Sequence, residues 1–108
     1  MKIAVIGSRS LCITDLAPYL AEASEMISGG AAGIDACAAE YAKKHPLPLT
    51  VFSPEYPRYG RAAPIIRNKK IVDAAAFLLA FWDGASKGTL FVIEYAKKGK
   101  KPCHGIRR

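Results

Sequence analysis

Three short runs in this chain combine glycine with hydroxyl or charged residues: Gly7-Ser8-Arg9-Ser10, Ser28-Gly29-Gly30-Ala31-Ala32-Gly33-Ile34-Asp35 and Asp83-Gly84-Ala85-Ser86-Lys87-Gly88-Thr89. All three suit one kind of chemistry, the capture of an anion. Glycine lets the backbone turn with positive φ and approach a ligand closely. Successive amides at a helix start then point at the anion. The plain alternative is that these glycines only make tight strand-to-helix turns. For Gly33 the two readings stand level. For Gly29-Gly30 taken with Gly88-Thr89, the anion site is favoured.

Amides alone do not suffice. A micromolar ligand requires about 8 kcal/mol, and one helix terminus supplies at most ~2 kcal/mol. Charge-assisted hydrogen bonds add roughly 1.5–3 kcal/mol each. Arg9 follows the first glycine turn directly, and Arg67 falls in the first turn of a helix begun by Pro64. Either is a donor to the anion or an ordinary surface arginine. Asn68 beside Arg67 reads a base or sugar edge, or caps locally. Asp35 favours its helix dipole or joins the site. Asp83 accepts from a sugar hydroxyl or holds a Mg²⁺ through phosphate. Trp82 offers a stacking face or fills the core.

What is missing narrows the chemistry further. No G-x-G-x-x-G follows the first strand, and no G-x-x-x-x-G-K-[ST] occurs, which disfavours a dinucleotide oxidoreductase and P-loop hydrolysis. His45 and His104 have no nucleophile beside them. Cys12, Cys37 and Cys103 are odd in number and far apart, so neither a disulfide framework nor a zinc site is expected. Cys37, among Ile34, Ala38 and Tyr41, reads as a small buried hydrophobe.

The elements that must position these residues alternate. Ile3–Ile6 reads as a buried strand, and Thr14-Asp15 as the N-cap of a helix through Leu16, Tyr19, Leu20 and Ala23. Met26–Ser28 is a second strand. Ile34, Cys37, Ala38, Tyr41 and Ala42 recur at helical spacing, and Pro46 and Pro48 stop that helix. Leu49–Phe52 is a third strand, followed by a long connection over 53–63. Pro64 opens a helix through Ile65 and Val72. Ala76–Trp82 is a fourth strand, apolar enough to be buried on both faces. A helix over Thr89–Lys98 ends in lysines and Gly99, and Pro102–Ile106 is a fifth strand. This alternation predicts an α/β fold with a parallel five-stranded sheet of order 3-2-1-4-5 and helices on both faces. Ligands of such sheets bind beyond the carboxyl ends of the strands, where the strand order reverses. The three glycine runs should all meet there.

Length and charge set the outer bounds. With 108 residues, the chain fits one domain, 1–108. No run reaches the 18 or more apolar residues of a membrane span, and no small-residue cleavage site follows the amino-terminal apolar run. The expectation is a cytoplasmic protein without membrane contact. The net charge of +7 comes largely from Lys43-Lys44, Lys69-Lys70, Lys97, Lys98, Lys100, Lys101, Arg107 and Arg108. These fall at the ends or outer faces of helices, where solvated lysines are ordinary, so nucleic acid is the lesser reading. Leu90–Tyr95 is apolar on more sides than one helix buries, which points to a homo-oligomer.

Four motifs occur in order: Gly7-Ser8-Arg9, Ser28-Gly29-Gly30-Ala31-x-Gly33-x-Asp35, Gly60-Arg61-Ala62-Ala63-Pro64-x-x-Arg67-Asn68, and Phe81-Trp82-Asp83-Gly84-x-Ser86-x-Gly88-Thr89. Together they cover nearly the whole chain. They resemble the YspA-like branch of the SLOG superfamily, whose relatives include the DNA-processing protein DprA and the LOG phosphoribohydrolases. The resemblance implies a Rossmann-like three-layer fold. It also implies a nucleotide or nucleotide-derived phosphate ligand at Gly7, Ser8, Arg9, Ser28, Gly29, Gly30, Gly33, Asp35, Arg67, Asn68, Asp83, Ser86, Gly88 and Thr89. The LOG signature sets a carboxylate closely behind its Gly-Thr pair, whereas here the first carboxylate after Gly88-Thr89 is Glu94. Glu94 lies a rise of about 7.5 Å along its helix from Thr89. Binding or sensing therefore leads. Hydrolysis of an N-glycosidic or phosphate bond is the alternative, with single-stranded nucleic-acid binding behind it.

Overall fold

The computed structural model describes residues 1–8, 10–11, 16–29 and 33–107; the side chain of Asp35 lies outside the description. Five parallel strands form one sheet in the order β3-β2-β1-β4-β5. They are β1 (Lys2–Gly7), β2 (Glu25–Ser28), β3 (Leu49–Val51), β4 (Phe77–Trp82) and β5 (Cys103–Arg107). The order is the one expected, in a Rossmann-like sandwich. Between the strands run α1 (Ala17–Leu20), α2 (Ile34–Lys44), α3 (Tyr56–Tyr59), α4 (Ala63–Ala74) and α5 (Lys87–Lys98).

The period of two along the central strands sorts the core. Ile3 and Val5 of β1, with Leu79 and Phe81 of β4, pack with Leu16, Leu20, Ile34, Ala38 and Ala42 on the α1–α2 side. Ala4 and Ile6, with Leu78 and Ala80, pack with Ile71, Val72, Val92 and Ala96 on the α4–α5 side. Strands buried on both faces have no polar face to show, which is why β1 and β4 read as unbroken apolar runs. Pairing of β1 with β4 carries Gly7 opposite Phe81, so the two strands end level.

Four local features differ from the sequence reading. First, α1 stops at Leu20, short of Ala23, and its N-cap position is Leu16, which makes no side-chain cap; Thr14 and Asp15 lie outside the described residues. Second, the connection over 53–63 is not irregular. It holds α3, with Pro57 in its first turn, and a 3₁₀ turn over Gly60–Ala62. Proline there acts as a helix starter, where a preset φ and a missing N–H do no harm. Third, α5 begins at Lys87 and not at Thr89, so Lys87 and Gly88 belong to the helix and not to the loop before it. Fourth, Cys37 is disulfide-bonded, in place of the thiol expected; Cys103 is free.

The apolar residues of α5 find partners within the chain. Val92 and Ala96 are buried, and Phe91, Ile93 and Tyr95 pack half-buried against the same cluster. Among the described residues the large hydrophobic side chains left exposed are Met1, Val51, Tyr56 and Ile65. Among the described residues no helix is long and apolar enough to cross a membrane.

Candidate functional site

Strands β1, β2 and β4 end side by side, and a cavity of about 470 Å³ opens beyond them. This lies within the roughly 300–1,000 Å³ of small-molecule sites. It also falls where the strand order reverses, the switch point of open α/β sheets. Eight of the residues singled out in the sequence line it: Gly7, Gly29, Arg67, Asn68, Asp83, Ser86, Gly88 and Thr89.

The exits of β1 and β4 are bolted together by Ser8, which is fully buried. Its backbone N–H donates to the Phe81 carbonyl at 3.0 Å. Its Oγ accepts from the Asp83 N–H at 3.1 Å. Ser8 therefore supports the site from behind and does not line it. Gly7 in front of it has no room for a side chain, because a Cβ would stand 2.6 Å from Ile34 Cγ1 and 2.8 Å from the Phe81 carbonyl oxygen. That absence lets the start of α2 press against the end of β1.

Asp83 organises the loop that leaves β4. Its Oδ1 accepts from the Ala85 and Ser86 N–H groups at 2.9 and 2.8 Å, and its Oδ2 accepts from Ser10 Oγ at 2.7 Å. The Ser10 hydroxyl, followed by these two amides, holds the Asp83 carboxyl well below the usual carboxylate range. A carboxylate has about four acceptor sites, and three are spent here. Most of the lone pairs that could meet a sugar hydroxyl or a Mg²⁺ serve the loop itself. Among the described residues no three metal-ligating side chains gather.

The same loop caps α5. Ser86 is the N-cap residue; its Oγ accepts from the Thr89 N–H and shares a 3.2 Å hydrogen bond with Thr89 Oγ1. Ser86 satisfies one of the orphan donors of the first turn. The N–H groups of Lys87 and Gly88, ahead of Thr89, have no intrahelical acceptor, and Gly88 faces the cavity. Trp82, half-buried, donates its indole N–H to the Ser86 carbonyl at 3.0 Å. The Arg107 guanidinium lies 5.9 Å from the indole ring centre.

The opposite wall comes from α4. Arg67 sits one residue further into this helix than expected, because α4 starts at Ala63 and not at Pro64. From there its Nη1–H reaches across to the Gly29 carbonyl at 2.8 Å, and its Nε–H donates to Asn68 Oδ1 at 2.7 Å. A guanidinium cannot lose its proton, so the wall carries a fixed positive charge.

The remaining expected residues lie elsewhere or beyond description. Ser28 is buried within the sheet end, where its carbonyl accepts from Phe52. Gly33, with φ of 72°, is the N-cap of α2, a backbone conformation that favours glycine. Arg9 and Gly30 fall outside the described residues, as does the Asp35 side chain. Among the described residues Asp83 is the one carboxylate that lines the cavity, and Glu94 is exposed on α5. Sequence reasoning missed Ser10, although it closes the first glycine run, and the lining residues Ile6, Pro64, Ile71 and Val92. Those last four are apolar, and nothing in their types separates a cavity wall from a core. Comparison with family models, with curated proteins and with solved structures returned no match.

Proposed function

We propose that this chain binds a nucleotide or nucleotide-derived phosphate ligand in the cavity at the carboxyl edge of its sheet. The observation that carries this reading is convergence. Residues from three loops and a helix, as far apart in sequence as Gly7 and Thr89, line one cavity of a size suited to such a ligand. Its donors suit an anion: the first turn of α5 on one side, with Gly88 leaving the backbone bare, and Arg67 on the other. The helix end contributes up to ~2 kcal/mol and each charge-assisted hydrogen bond roughly 1.5–3 kcal/mol. Several together reach the micromolar range, near 8 kcal/mol. The sequence resemblance to the YspA-like branch of the SLOG superfamily supports the same ligand class. With Asp83 committed to its loop and Glu94 outside the lining, binding or sensing is favoured over hydrolysis.

Replacing Arg67 and Arg9 together by alanine tests the reading. The double variant should stay folded and lose binding of mononucleotides in titration calorimetry. Undiminished affinity would remove the site assignment.

A further inference from the structure

We infer that Asn68 is a specificity-determining residue of this cavity, presenting its carboxamide NH₂ to a phosphate oxygen. The inference rests on the nucleotide reading and adds the group that reads the phosphate. It follows from one contact. Arg67 Nε carries a hydrogen and can only donate, so the Asn68 atom 2.7 Å away must be the amide oxygen, not the nitrogen. Arg67 is itself fixed at its other end by the Gly29 carbonyl at 2.8 Å. The carboxamide is planar, so holding Oδ1 fixes the direction of Nδ2 as well. Asn68 is half-buried and lines the cavity, and its Nδ2 has no hydrogen-bond partner among the described residues.

The consequence is a wall richer in donors than in acceptors. Nδ2 offers two N–H groups beside a fixed positive charge, and one of the two lone pairs of Oδ1 is already engaged by Arg67. A ligand group placed here must bring lone pairs. An oxyanion brings several and gains from the guanidinium; a hydroxyl brings lone pairs without charge, and an ammonium group would leave two donors facing each other. Across the same cavity, Gly88 in the first turn of α5 adds backbone donors of the same sense.

The substitution Asn68→Asp separates reading from scaffolding. It keeps an oxygen for Arg67 Nε, so the tie between the two side chains survives. It replaces the NH₂ with a second acceptor of negative charge. Titration calorimetry with pyrophosphate should show affinity reduced at least tenfold in Asn68→Asp. Asn68→Ala should be reduced less, and the thermal unfolding midpoint of Asn68→Asp should stay unchanged. If Asn68 only buttresses Arg67, what aspartate costs is repulsion at a distance, which salt screens; an aspartate loss that vanishes at high salt while the alanine loss stays overturns the inference. A loss confined to guanosine, which offers a ring carbonyl and no phosphate, would also overturn it in favour of base reading. If the wild-type protein binds neither pyrophosphate nor any mononucleotide, the nucleotide reading falls and this inference with it.

Discussion

The substitution of glycine by alanine should have opposite effects on stability at two positions in this fold. At Gly7 a methyl group would stand 2.6 Å from Ile34 Cγ1, 2.7 Å from Ile34 Cβ and 2.8 Å from the Phe81 carbonyl oxygen. The first two atoms belong to a fully buried side chain, and the third is backbone engaged by the Ser8 N–H. None is the free end of a flexible group, so α2 must move off β1 or β1 must part from β4. Overpacking of this sort costs typically 1–3 kcal/mol, and a backbone obstacle puts Gly7→Ala near the upper end. Unfolding entropy of about 2.1 cal/mol/K per residue makes about 0.23 kcal/mol/K for the whole chain, so each kcal/mol shifts Tm by about 4 °C. Gly7→Ala should therefore lower Tm by about 10 °C. At Gly88, in the first turn of α5, a Cβ meets nothing within 4 Å. Alanine there gains up to about 1 kcal/mol of helix propensity, raising Tm by up to about 4 °C. It also intrudes on the cavity and should weaken mononucleotide binding. Differential scanning calorimetry of both variants decides the matter. A Gly7→Ala protein as stable as the wild type would refute the close approach of α2 to β1, and a Gly88→Ala protein of lower Tm would refute the open helix start.

Two further outcomes follow from the loop after β4. Ser86→Ala removes the cap of α5 and should cost about 1 kcal/mol, read as a Tm lower by about 4 °C. Asp83→Asn should destabilise the fold in a pH-dependent way. The folded carboxyl titrates below its ordinary value of about 3.9, so its stabilisation is present above that pH and is lost as pH falls through the folded value. Unfolding midpoints of wild type and variant should differ by a constant amount from pH 5 to 8 and converge below about pH 4.

The sheet was legible in the sequence because each crossover leaves a mark that does not depend on distant residues. The apolar run from Ile3 to Ile6, the helical spacing from Ile34 to Ala42 and the apolar run ending at Trp82 are all local patterns. The site was legible where glycines and hydroxyls cluster. It was misread where one residue type serves two ends. The stretch over 53–63 reads as a connection, yet Pro57 starts a helix within it. Gly88 was taken as loop and lies in a first turn, because the Ser86 cap two residues earlier sets the boundary. Asp83 lines the cavity, and its type alone does not show that three of its acceptor sites go to Ser10, Ala85 and Ser86. Which way a carboxylate turns depends on amides brought near it by the fold. Cys37 hid its disulfide for a related reason, since pairing depends on proximity in space and not on spacing along the chain.

The chain contains a single tryptophan, and the fold has placed it as an optical gauge of its own cavity. The indole of Trp82 is joined to the carbonyl of the very residue that caps α5, lies under the Arg107 guanidinium and precedes a cavity-lining carboxylate. A molecule that settles between Gly88 and Arg67 changes the electric field across that ring, and any loosening of the α5 cap frees its N–H to water. Selective excitation of the indole should therefore report occupancy by a shift in emission, and cap opening by a shift of a different kind. Titrations and stopped-flow measurements on this protein need no label attached.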